Sequence, residues 1–123
     1  MKRNRHHKTG QIGEKLAYDY LQNIGLAVIQ RNYKCPLGEI DLVAQENETI
    51  IFIEVKTRTG HQFGGPEESV TKAKQRKIIQ VALGYLAQYG LQDYAVRFDV
   101  IAITLTGNIH RLEHIEDAFD ASF

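Results

Sequence analysis

An α/β fold is predicted for this 123-residue chain: one domain whose mixed β-sheet is flanked by helices, in the order α-β-β-β-α-β-β. Three observations predict it. Apolar residues recur at helical spacing in two separate segments. Strand-like runs lie between and after those segments, and two of the runs flank a short polar turn as a hairpin would. The hairpin demands at least one antiparallel pairing, which excludes a purely doubly wound βαβ arrangement.

The first helix is expected from Gln11 to about Ile24, where Ile12, Leu16, Ala17, Tyr20, Leu21 and Ile24 form one stripe. Thr9 is its candidate N-cap, and Gly25 stands where a left-handed residue ends a helix. "LAVIQ", Leu26 to Gln30, reads as a short buried strand, followed by a loop through Cys35, Pro36 and Gly38. "EIDLVAQ", Glu39 to Gln45, and "TIIFIEVKT", Thr49 to Thr57, form the hairpin around "ENE". The second of these strands is apolar on both faces, as a central strand must be. After a glycine-rich loop, a second helix is expected from about Thr71 to Tyr89, basic at first and apolar along Ile78, Val81, Ala82, Tyr85, Leu86 and Tyr89. "YAVRFDVIAITL" is a further strand, paired with "NIHRLEHI" across Gly107-Asn108. Residues 1–8 read as a flexible basic arm, 9–115 as the domain and 116–123 as an acidic tail.

Composition narrows the function classes. No segment approaches the roughly 20 apolar residues that cross a bilayer, and the charged start "MKRNRHHKTG" has no apolar stretch behind it. One cysteine, Cys35, excludes an internal disulfide framework and a cysteine-only metal site. A reducing cytoplasm, away from membranes, is the expected setting. Net charge is zero, yet Lys2, Arg3, Arg5 and Lys8 gather at one end, and Lys72, Lys74, Arg76 and Lys77 in the second helix. Such clusters can give a neutral protein one basic face; each alone also fits an ordinary solvated surface.

Chemistry concentrates in the hairpin. Strand alternation puts Glu54 and Lys56 on one face, with Ile53 and Val55 opposite, and separates Glu39 and Asp41 from Ile40 and Leu42. A two-residue loop at Asn47-Glu48, or a four-residue loop from Glu46 to Thr49, sets Asp41 opposite Glu54, whereas a three-residue loop without a bulge opposes Asp41 to Ile53. The first register keeps the acids on one face and is favoured. It brings the two Cβ atoms to about 5 Å, where the carboxylates repel. A divalent cation relieves that repulsion, and Mg²⁺ often uses only one or two protein carboxylates with oxygen ligands at about 2.1 Å. Lys56 could then position or activate a water and offset charge growing on a phosphate. The alternative is an internal ion pair of Lys56 with Glu54 or Asp41. Glu14, at the margin of the first helix's stripe beside Gly13, is a candidate third acid or an ordinary first-turn glutamate.

"GEIDLVAQENETIIFIEVKTRTGHQFGGPEESV", with "TGQIGEKLAYDYLQNIGLAVIQRNYKC" before it and "RFDVIAI" after it, resembles the YraN family of bacterial proteins. That family is similar to the archaeal Holliday-junction resolvases within the PD-(D/E)xK nuclease superfamily. The resemblance spans roughly Thr9 to Ile103 and implies a restriction-endonuclease-like fold. It implies catalytic roles for Glu14, Asp41, Glu54 and Lys56, and Mg²⁺ or Mn²⁺ held by Asp41, Glu54 and the Val55 carbonyl. Ile40 replaces the proline that names the superfamily. Gln75 matches a glutamine of the following helix, although Ile79 stands where a tyrosine would follow.

The implied activity is metal-dependent hydrolysis of DNA phosphodiester bonds, in branched or structured DNA by likeness to resolvases, which also act as homodimers. The alternative is a non-catalytic nucleic-acid- or protein-binding module on the same fold. Arg3, Arg5, Lys8, Arg58, Lys72, Lys74, Gln75 and Arg76 are the candidate nucleic-acid contacts, directed at backbone and shape because no base-reading module is evident. His110 and His114 lack partners for a zinc site and read as surface residues; Tyr20, Tyr85 and Tyr89 read as core. His61 could approach a phosphate, and Cys35 has no recognisable base.

Overall fold

The computed structural model describes residues 2–60 and 70–121, with side chains from residue 8 onward. Its elements are α1 (Lys2–Asn23), β1 (Ala27–Cys35), β2 (Gly38–Glu46), β3 (Thr49–Thr59), α2 (Lys72–Gln88), β4 (Ala95–Thr106) and β5 (Ile109–Phe119). The expected order α-β-β-β-α-β-β is the one found. Five strands form one sheet in sequence order, with β3 at its centre. The pairing of β3 with β4 is parallel, and the other three are antiparallel.

The helices cover opposite faces. Ala17 and Leu21 of α1 pack with Leu42, Ala44, Ile51, Ile53, Ile101 and Ile103. Ile78, Val81, Ala82 and Tyr85 of α2 pack with Val43, Ile50, Phe52, Phe98 and Val100 on the other face. Alternate residues of β3 thus serve both cores, which is why that strand is apolar throughout its first half. Thr71 caps α2, its side chain accepting from the Lys74 amide, and the helix ends before Gly90, which takes φ +67°.

Some boundaries differ from expectation. Helix α1 begins at Lys2, inside the segment read as a flexible arm, so Thr9 is helical and not a cap. Strand β1 continues nine residues to Cys35, through a bulge between Val28 and Gln30. Pairing with β2 carries it through a polar stretch that looked like loop. Strand β5 runs to Phe119 and takes in part of the supposed acidic tail. Tyr89 is 48% exposed, whereas Tyr85 is buried as expected.

One close approach sets the position of α1. Gly13 is buried, and a Cβ there would collide with the Thr57 side chain of β3. The missing side chain lets the helix rest directly on the strand. Gly13→Ala should therefore lower stability by about 1–3 kcal/mol, as overpacking does, although alanine is the better helix former. Urea denaturation of the two proteins measures this.

Candidate active site

The turn at Asn47-Glu48 has two residues, with Asn47 at φ +54°, so Glu46 pairs with Thr49. The ladder continues to Leu42↔Ile53, in the register that leads to Asp41 opposite Glu54. There the strands part. Residues Gly38 to Ile40 remain paired with β1, while Glu54 to Thr59 remain paired with β4. At the fork the Asp41 carboxylate takes over a backbone donor: Val55 N–H donates to Asp41 Oδ2 at 2.8 Å. A carboxylate thereby satisfies an amide that the diverging strand has left.

The bend also corrects one detail of the alternation. Ile40 and Leu42 were expected on one face, yet Ile40 packs in the α2-side core and Leu42 in the α1-side core. The strand rotates about Asp41, which comes to lie between the two layers. From one side, α1 brings Glu14, the residue after Gly13. Burial pushes the Glu14 carboxyl up, and contact with Asp41 and the charge of Glu39 push it further, against the pull of Arg31. From the other side comes Glu54, whose side chain is 13% exposed. Asp41 is thus in contact with both of the other acids expected at the site, Glu14 and Glu54.

Glu54 bears the largest strain. Burial, then the hydrogen bond and charge of Asp41, push its carboxyl up to about 8, against the lowering influence of Lys74 and Lys56. Two lysines attend it. Burial and the adjacent Lys74 amine lower Lys56, despite the acids nearby. Burial would lower Lys74 too, but hydrogen bonds to Lys56 and Glu54 and the charges of the acids outweigh it and raise it. Lys74 Nζ stands 3.5 Å from Glu54 Oε2. Of the two amines, Lys56 gives up its proton more readily.

The donor set suits a hard divalent cation. Among the described residues no group of three or more His, Cys, Asp or Glu forms a ready-made metal cage. The cluster offers a sparser set: the carboxylates of Asp41 and Glu54, a pair whose like charges resist joint ionisation. Mg²⁺ and Mn²⁺ accept few protein oxygens and keep waters elsewhere. A cleft of about 210 Å³ opens beside Glu54, lined by Gly38, Glu39, Lys74, Lys77 and Ile78.

The candidate nucleic-acid contacts do not form one surface. Lys74 and Lys77 face the acids, whereas Lys72, Gln75 and Arg76 line a separate cavity of about 490 Å³ against Phe119 and Asp120. The helical turn splits a cluster that looks continuous in sequence. Gln75 Nε2 donates to the Val70 carbonyl at 3.0 Å, tying down the approach to α2. Lys8 lies apart, in an apolar groove of α1 with Ile12 and Leu16. Arg58 is half-buried on β3. The side chains of Arg3 and Arg5, and His61, lie outside the described residues.

A second acid cluster escaped the sequence reading. Asp99, beside Ile53 on β4, is the one charged residue buried outright among the described residues. Arg97 grips both its oxygens, Nε to Oδ1 at 2.9 Å and Nη2 to Oδ2 at 2.8 Å. The Asp117 amide donates to Oδ1 at 2.9 Å, and His114 Nε2 lies 2.7 Å from Oδ2. Tyr20 Oη of α1 completes the chain, 2.9 Å from His114 Nδ1. His114, expected at the surface, has a side chain only 5% exposed. Burial alone would raise the Asp99 carboxyl, but bonds from His114, Arg97 and the Asp117 amide hold it below its ordinary value.

Fold and site together define a small α/β protein with an acid–lysine cluster where two central strands diverge. The comparison with known sequences gives it a family. Residues 13–103 match the model of "Uncharacterised protein family UPF0102". A UPF0102 protein of Geotalea daltonii is 44% identical over 115 residues, covering 93% of this chain and 91% of that protein. One from Geobacter metallireducens is 44% identical over 119 residues, 96% and 98% of the two chains. One from Caldanaerobacter subterraneus is 40% identical over 122 residues, 97% of this chain and all of that protein. The chain belongs to the UPF0102 (YraN) family. Among the described residues no helix is long and apolar enough to cross a membrane.

Asp99→Ala should lower stability at pH 7 by about 3–5 kcal/mol, because it leaves Arg97 without its buried counter-charge. The depressed Asp99 carboxyl contributes stability that is present above its unfolded value of 3.8 and lost as pH falls through its folded value. Thermal denaturation from pH 7 to pH 2 should accordingly show a shallower acid limb for Asp99→Asn than for the wild type.

Proposed function

We propose that this protein is a metal-dependent nuclease that hydrolyses phosphodiester bonds in DNA. One observation carries the reading: Asp41 stands beside both Glu14 and Glu54, with Lys56 close to Glu54, and burial beside Asp41 raises the proton affinity of both glutamates. A purely structural ion pair would do the reverse and lower them. Solvent-reachable acids held at such a disadvantage are the mark of a site awaiting a cation.

Asp41, Glu54 and the Val55 carbonyl would hold Mg²⁺ or Mn²⁺, which when bound polarises the phosphate and acidifies water. The chain's own groups supply the rest. The bond from Val55 N–H holds Asp41 in place through Oδ2. A water at phosphorus transfers its proton to Lys56 Nζ as its oxygen forms the new P–O bond. The ester P–O bond breaks on the opposite side, and the leaving alkoxide takes a proton from solvent. Glu14, on the far side of Asp41, orients the water. Lys74 and Lys77 border the cleft where a phosphate would lie.

Branched or structured DNA is the substrate class suggested by the likeness to Holliday-junction resolvases, which also suggests a homodimer able to cut opposed strands. The cytoplasm, where DNA and Mg²⁺ are both available, is the proposed location. A metal-titrated screen over linear, single-stranded, flapped and four-way DNA tests the reading. Cleavage should require Mg²⁺ or Mn²⁺, and Asp41→Ala should lower its rate by about 100-fold or more. Equal cleavage by Asp41→Ala would defeat the proposal. Binding that ignores chelator, with no substrate cut, would make the protein a binding module instead.

A further inference from the structure

Lys74 breaks a local rule. Thr71 is the N-cap of α2 and accepts from the Lys74 amide at 3.2 Å, so Lys74 occupies the third helical position. A capping box places Glu or Gln there, reaching back to the cap, and the positive end of the helix dipole disfavours a cation. The first turn of α2 nonetheless contains no acid. A residue placed against local preference signals a demand made elsewhere in the fold.

That demand is visible across the cleft. The Lys74 ammonium reaches Glu54 Oε2 at 3.5 Å from a different element. The Lys74 side chain is also 43% exposed, and a lysine's four-carbon stem can swing away once its partner is taken.

We propose that Lys74 is a resident counter-ion of the Asp41–Glu54 pair, which a divalent cation must displace in order to bind. The inference rests on the metal-dependent reading above and extends it to a residue outside the family motif. Ammonium and metal compete for the same carboxylate, so the cluster is neutralised in either state. Lys74 thus sets the metal concentration at which the site fills.

Mn²⁺ binding to the full-length protein, followed by the electron paramagnetic resonance of free Mn²⁺, tests this without reference to activity. Lys74→Met should bind Mn²⁺ about fivefold more tightly than the wild type, or tighter still, as loss of a half-exposed competing charge predicts. Lys74→Arg, which keeps the charge, should stay within about twofold. Lys74→Gln provides a second neutral variant, and circular dichroism checks that each folds. Unchanged or weaker binding by both neutral variants, including no binding at all, would overturn the inference. Asp41→Ala separates the two levels. If it binds Mn²⁺ as the wild type does, the metal reading itself fails; if it loses binding while Lys74→Met matches the wild type, only the role of Lys74 fails.

Discussion

A single hydrogen bond, from the Val55 amide to the Asp41 carboxylate, governs the arrangement of this molecule's chemistry. It exists because β2 and β3 cannot stay paired beyond Leu42↔Ile53 while each remains bound to its outer neighbour. A backbone donor would otherwise be left without a partner where the strands separate. By supplying that partner, Asp41 enters the plane of the sheet. Groups from both faces reach it: Glu14 of α1, and Glu54 of β3 beside Lys74 of α2. The bare approach of Gly13 to Thr57 brings the first of these down to it.

Two buried or half-buried acids on adjacent strands show how differently one sheet can treat a charge. Asp99 is surrounded by donors from Arg97, His114 and the Asp117 amide, and its carboxyl is held down. Glu54 is buried and meets another acid at close range, and its carboxyl is driven up despite two lysines. The first network is complete. It joins β4, β5 and, through Tyr20, α1 into one unit, and needs nothing further. The second sets two acids side by side, and the two lysines beside them do not offset the cost of burying Glu54 there.

Much of this was legible in the sequence. The polar turn at Glu46–Thr49 left two registers open for β2 and β3, and keeping the acids on one face selected the observed one; a shift by one residue would have carried every apolar side chain to the wrong face. The apolar stripe of α2, with Thr71 before it and Gly90 after it, gave that helix nearly to the residue. Other features depended on contacts distant in sequence. Nothing local joins Asp99 to Asp117 and His114, because that join passes through an irregularity in the β4–β5 register near Phe98 and Val100. His114 consequently looked like a surface residue. Strand β1 is polar beyond Gln30 and is a strand there only because β2 pairs with it. The basic run of α2 looked like one phosphate-binding patch; the helical turn directs Lys74 to the acids and Lys72 and Arg76 to the end of β5.

A glutamate buried against a second acid is the claim on which the functional account stands, and the ionisation of Glu54 tests it most directly. Carboxyl carbon chemical shifts of the metal-free protein, followed by NMR between pH 3 and pH 10, would report it. The account predicts that the Glu54 resonance titrates near pH 8, far above an ordinary glutamate. A Glu54 that titrates near or below 4.5 would contradict it: the carboxylate would then be an ordinary partner of its lysines.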